Sequence, residues 1–215
     1  MLDKNKIHCS LSYLGEDGEA DVTTVTTEGM LFCECKSKII TLNSIKGLHE
    51  SIKTDVYQAI GAAYVQAIRS IERVQAGKKF VTTSGEEIEI DDIESKYIVC
   101  VTAENFGLIP SEIQDYIEIN DSIGTPYVVN IYDLDIITKE CESYEELIQY
   151  IEFRKKNYDI ISTLDELDAF GFFKKNGNIT ISIDADELML TDFTAEFDKK
   201  YKEEDKKVFQ EFFGR

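Results

Sequence analysis

Two acids, Glu19 and Asp21, are followed a short turn later by Glu34-Cys35-Lys36, at the end of an apolar run that begins at Met30. Carboxylates converging from neighbouring strands repel each other, and burying them is costly unless a cation lies between them. Hard oxygen ligands suit Mg2+ or Mn2+, ions that keep several waters for a nucleophile and a substrate. A lysine beside one of those acids can position or deprotonate an attacking water and offset charge on a phosphoryl transition state. The chemistry favoured by these residue types is metal-assisted hydrolysis of a phosphodiester.

Such a site needs two strands held side by side. Successive strand residues point to opposite faces, so Glu34 and Lys36 share one face, while Leu31, Cys33 and Cys35 take the other, toward the expected core. The Val- and Thr-rich stretch from Ala20 to Val25, with a turn at Thr26-Thr27-Glu28-Gly29, forms the partner strand. That hairpin sets Asp21 beside Glu34, with Glu19 on the face of Asp21. The Glu-x-Lys spacing alone carries little weight, because it recurs at Glu94-Ser95-Lys96 and Glu204-Asp205-Lys206 in charged, solvated stretches. On its own the first copy reads equally well as an edge-strand ion pair worth little. Its apolar strand, the acidic strand before it and the long helix after it set it apart.

The run Glu19-Ala20-Asp21 followed by Leu31-Phe32-Cys33-Glu34-Cys35-Lys36-Ser37 resembles the PD-(D/E)xK nuclease superfamily, in particular its nuclease-related branch written Glu-x-Asp and Glu-x-Lys. The resemblance covers roughly the first half of the chain. It implies an α/β, restriction-endonuclease-like mixed sheet flanked by helices and a Mg2+- or Mn2+-dependent endonuclease acting on DNA, with RNA as a second candidate. By the same resemblance Asp21, Glu34 and the backbone carbonyl of Cys35 hold the metal, and Lys36 assists the water. Gln66, or else Gln58, is the glutamine that reaches the site from the next helix. The family's usual leading helix, with its further acid, has no counterpart in the short stretch ahead of Tyr13. That acid is then either supplied by a segment upstream of this sequence or lost, which keeps a second expectation open: a nuclease-fold module that binds a protein or nucleic-acid partner without cutting.

The longest helix is expected from Ile45 to Ala76. Val56, Ile60, Ala63, Ala67, Ile71 and Val74 recur at three- and four-residue steps and form its core stripe. Gly77 suits the C-cap, and Gln58, Gln66, Arg69 and Arg73 fall on the wet face. Phe80–Thr83 and Glu87–Ile90 flank a Ser84-Gly85 hairpin turn, and Tyr97–Val101 and Tyr127–Ile131 read as inner strands. Helices follow at 133–141 and 144–153, the second started by a Ser143/Glu146 capping box. Residues 1–157 are expected as the nuclease-like domain and 158–215 as an acidic α+β extension. The extension opens with a Thr163/Glu166 capping box, turns at Asn176-Gly177 into a strand over Ile179–Ile183, and ends in a charged helix from Ala195. The acids at 165–168 suit a helix N-terminus better than a metal, and Asp184 and Asp186 lack the pattern of a calcium loop.

The net charge of −19 opposes nucleic acid binding, but its distribution is uneven. Up to Lys79 ten acids balance ten bases, so the whole excess arises from Phe80 onward, with a dense run from Glu86 to Glu94. Lys4, Lys6, Lys38, Lys46, Lys53, Arg69 and Arg73 lie in the neutral half and could meet a phosphate backbone. The acidic half suits a basic protein partner or a homodimer contact. Five cysteines without disulfide-like spacing point to a reducing compartment, taken as the cytoplasm. The two histidines give no zinc set, and no apolar run is long enough to span a membrane.

Overall fold

In the computed structural model, residues 7–27, 29–181 and 187–203 are described. The chain is an α/β protein built on a seven-stranded mixed sheet. β1 (Ile7–Tyr13), β2 (Glu19–Thr26) and β3 (Gly29–Lys36) form an antiparallel meander, extended at β1 by a short hairpin of β4 (Phe80–Val81) and β5 (Glu87–Ile88). On the other side β6 (Lys96–Thr102) and β7 (Tyr127–Asn130) run parallel to β3, giving the order β5-β4-β1-β2-β3-β6-β7. β1 has no counterpart among the sequence expectations. Its inward residues, Leu11 and Tyr13, are few, and its remaining side chains stay wet or half-wet.

Each face of the sheet has its own core. Met30 and Phe32 of β3 and Ile98 and Cys100 of β6 meet the helical layer after β3. That layer comprises α1 (Leu42–Ile45), α2 (His49–Val56), a π turn (Tyr57–Gly61) and α3 (Ala62–Gln75). The expected stripe from Val56 to Val74 is buried throughout. The long helix starts at His49 rather than Ile45, because Gly47 takes a left-handed φ of 80° and breaks α1 from α2. Its C-terminus closes as expected: Gly77, at φ 62°, donates to Val74, and Lys78 donates to the Arg73 carbonyl.

The opposite face buries Leu31, Val99, Val101 and Val129 under α4 (Ile131–Glu140), α5 (Tyr144–Lys156) and α6 (Glu166–Asn176). Tyr150, Phe153, Phe170 and Phe173 pack together there, so residues beyond 157 share one core with the central strands. Ser143 caps α5 as expected, with Glu146 returning a bond to the N–H of Glu142. Two expectations fail in this region. Asp165 caps α6, because Glu166 turns inward to pair with Arg154 and accept from Tyr150. No strand forms at 179–181, because Asn157 takes the Ile179 carbonyl and the Ile181 N–H with its side-chain amide. Asp168 accepts from the N–H groups of Phe193 and Thr194. Residues 195–203 are helical, with Phe197 against Phe170, whereas Asp184, Asp186 and the aromatic residues after 203 lie outside the described residues.

The turn from β3 into the helices is pinned by one acid. Buried Asp55 accepts from the Thr41 N–H and hydroxyl and from the Ser44 hydroxyl, and pairs with Lys38 at 2.9 Å. Burial works to raise its pKa, but the donors from Ser44, Thr41 and Lys38 outweigh it and hold the carboxyl well below the usual range. Replacing Asp55 by Ala strands Lys38 and three hydrogen-bond donors, and should cost ~3 kcal/mol in urea unfolding at neutral pH. Because the folded pKa is the lower one, the contribution of Asp55 is present above the unfolded carboxylate range and fades as pH falls through and below it, so the gap between wild type and Asp55→Ala should close on acidification.

Candidate active site

Asp21 sits where β2 parts from both of its neighbours. The β1–β2 ladder pairs Cys9 with Val22 and Leu11 with Ala20 but skips the position between, where Ser10 takes a φ of 51° that is unusual for a residue with a side chain. The β2–β3 ladder ends at Val22 and Cys33. Beyond it, the Cys35 N–H donates to Asp21 Oδ2 at 2.7 Å, so a side chain takes over where backbone pairing stops. That bond holds the Asp21 carboxylate against the Glu34-Cys35-Lys36 segment.

Glu34 follows Met30 and Phe32 on the face of β3 beneath α3, with Cys100 as its partner on β6. Its exposure is 0 %, and neither carboxylate oxygen has a hydrogen-bond donor among the described residues. Burial first, and the nearby Asp21 charge second, push its pKa up to about 9, against smaller opposing pulls from Lys36 and from the Asp21 N–H, which is near Glu34 but falls outside hydrogen-bond geometry. Glu34 is therefore a protonated acid at neutral pH in the absence of any cation. Asp55 and Glu34 show what donors decide: both are buried carboxyls, but only Asp55 is surrounded by N–H and O–H groups.

Lys36 donates to Gln66 Oε1 at 2.6 Å, and the Gln66 amide donates to the Glu19 carbonyl at 3.0 Å and, more weakly, to Asp21 Oδ1 at 3.4 Å. Gln66 thus bridges the lysine of β3 to the acid of β2 from its place on α3. Lys36 forms no ion pair among the described residues, which leaves its charge available to an incoming anion. Glu19 supplies its carbonyl rather than its exposed carboxylate to this set. Gln58 lies exposed on the π turn and makes no described bond to the other site residues.

No family model, curated protein or solved structure matches this chain. Among the described residues no group of three or more His, Cys, Asp or Glu side chains could hold a metal ion. Asp21 and Glu34 form a smaller donor set, two neighbouring carboxyl groups of which the buried one meets no donor at hydrogen-bond geometry, and a hard cation completing its shell with a backbone oxygen and waters fits that chemistry.

Several expected neighbours of the site are already engaged. Arg73 is 5 % exposed and not on a wet face: it donates to the carbonyls of Leu14 and Lys79 and packs against the rings of Tyr13 and Phe80. Lys38 is bound by Asp55, and Lys4 and Lys6 lie outside the described residues. Cys35 is exposed rather than directed into the core, whereas Cys33 is half-buried. Sequence reading passed over Tyr57 and Tyr13, which join Glu19, Gln66 and Arg69 around a cleft of about 370 Å³ beside the site. No local pattern marks them, since the π turn that sets Tyr57 has no simple period.

Replacing Glu34 by Gln removes a group that is stable only when protonated, so the metal-free variant should unfold at a higher urea concentration than wild type at pH 8. The folded pKa is the raised one. The wild type therefore loses stability as pH climbs from the ordinary glutamate range toward about 9, a slope the variant should lack. Equal pH slopes for the two proteins would contradict the assignment.

Proposed function

We propose that this chain is a divalent-metal-dependent phosphodiesterase of the PD-(D/E)xK superfamily, an endonuclease that hydrolyses DNA. The observation that carries this reading is the buried Glu34 carboxyl, without a donor and beside Asp21, with Lys36 tied to the same cluster through Gln66. A protein gains nothing in stability from two converging acids of which one must be protonated to stay buried. The mixed sheet flanked by helices accords with a restriction-endonuclease-like fold.

In this reading Asp21, Glu34 and the Cys35 carbonyl hold Mg2+ or Mn2+. When bound, that ion supplies Lewis acidity toward a phosphoryl oxygen and lowers the pKa of water. The Cys35 N–H orients the Asp21 carboxylate, so that acid is set before any ligand arrives. Gln66 holds Lys36 by its ammonium group, where the lysine can accept a hydrogen bond only if it first gives up a proton, and can otherwise steer water and offset negative charge on phosphorus. Loss of the Gln66 bridge releases the lysine from Asp21, which makes Gln66 a positioning residue.

A second reading, a nuclease-fold module that binds a partner without cutting, draws on the net charge of −19 and on cations spent internally, such as Lys38 on Asp55 and Lys78 on Glu16. Incubation with supercoiled plasmid separates the two. The wild type should nick or linearise it with Mg2+ or Mn2+, and Lys36→Ala and Asp21→Ala should each lower the rate by about a hundredfold or more. Mn2+ should raise the melting temperature of the wild type and not of Glu34→Gln. A wild type that binds no divalent ion and cuts neither DNA nor RNA would overturn the enzyme reading.

A further inference from the structure

The cleft beside the candidate site is built differently from a surface that tracks a duplex. Its wall is one face of the helical layer: Tyr57 at the start of the π turn, then Val65, Gln66 and Arg69, facing Tyr13 and Glu19 across about 370 Å³. Tyr57 is 55 % exposed and Val65 also stands out of the core. The Tyr57 ring rests against the backbone at Gly61, where a Cβ would come within 2.7 Å of its Cδ2. Glycine at 61 therefore lets the ring lie along the helix, with the rest of its surface open to the cleft. π turns of this kind often re-aim side chains at functional sites.

The cations near the site are few. Lys38, Lys78 and Arg73 are held by Asp55, Glu16 and backbone carbonyls, respectively. Arg69 has a carbonyl of Asp17 as a hydrogen-bond acceptor and forms no ion pair among the described residues, so it is the cation that lines the cleft, with Lys36 beyond Gln66 in the neighbouring cluster. A duplex is held by many phosphate contacts spread over both strands, whereas the lining of this cleft supplies one cation, Arg69. An exposed aromatic ring beside one arginine matches instead a single strand, whose unstacked bases lie on aromatic side chains while a cation follows the backbone.

We propose that the cleft binds single-stranded DNA, with an unpaired base stacked on Tyr57 and the neighbouring phosphate at Arg69, so that the strand presented to Asp21, Glu34 and Lys36 is unpaired. This inference rests on the nuclease reading given above and narrows its substrate. Tyr57 is a binding and positioning residue, outside the cluster that would hold the metal.

The test is fluorescence anisotropy with labelled oligothymidylate, with Ca2+ in place of Mg2+ or Mn2+ to keep the strand intact, on the full chain. Tyr57→Ala should weaken binding by roughly tenfold and Tyr57→Phe should preserve it. Neither should alter the melting temperature or the shift that Mn2+ produces. An abasic residue stepped along the oligonucleotide should reproduce the loss at one position, and there Tyr57→Ala should cost nothing more. Arg69→Gln should flatten the salt dependence by about one phosphate contact. Duplex of the same sequence binding as tightly as the single strand, or unchanged binding by Tyr57→Ala, overturns the inference while leaving metal-dependent cleavage standing. A wild type with neither a Mn2+ shift nor cleavage removes the nuclease reading and this inference together.

Discussion

A carboxyl group buried at the end of β3 with no donor to receive it is the constraint around which the site end of the molecule is arranged. Glu34 continues the row of Met30 and Phe32, whose packing under α3 fixes the strand, so it cannot turn outward without pulling apolar side chains from the core. Its environment holds the acid protonated near neutral pH, and the Asp21 charge adds to that cost. Such an arrangement persists only when the surrounding packing over-determines it, as the two-sided burial of β3 does here.

Strand order supplies that packing. β3 lies between antiparallel β2 and parallel β6, so its neighbours on both sides set its register and leave its alternating residues to separate cores. A slip of one residue would put Glu34 and Lys36 on the face of Leu31 and Val99 and force Phe32 into the opposite core, away from the helical layer that receives it. Small residues in the helical layer, Ala59, Ala63 and Ala67, are fully buried against the sheet, which brings Gln66 within reach of both Asp21 and Lys36. Asp55 performs the complementary task at the other end of the connection, where it gathers Lys38, Thr41 and Ser44 and fixes the path by which the chain leaves β3.

Charge is divided along the chain in a way the fold preserves. The acid-rich stretch that includes β5 joins the sheet at the edge remote from β7, and Lys38, Arg73, Lys78 and Lys79 of the charge-balanced first half are engaged by local acids. Attraction of a polyanion by bulk charge is therefore weak, and recognition must rely on a few placed groups and on ring surface. The same economy accounts for the burial of Arg73: its guanidinium ties the loop after β1 to the end of α3 through carbonyls and aromatic faces, a structural use of a residue that the helical period alone assigns to water.

Much was legible in the residues themselves. The strand alternation from Met30 to Lys36, the apolar stripe from Val56 to Val74 and the Ser143 cap are local patterns, and local periodicity and hydrogen-bond chemistry determine them. The partnership of Asp21 with Glu34 followed from a short hairpin, whose turn fixes register. Strand β1, the inward turn of Glu166 toward Arg154, the exposure of Cys35 and the bridge made by Gln66 depended on contacts between residues far apart in the chain. The sequence determined which side chains could share a face. Only the tertiary structure decided which of them lost water without gaining a donor, because solvation is a property of the assembled surroundings rather than of the residue.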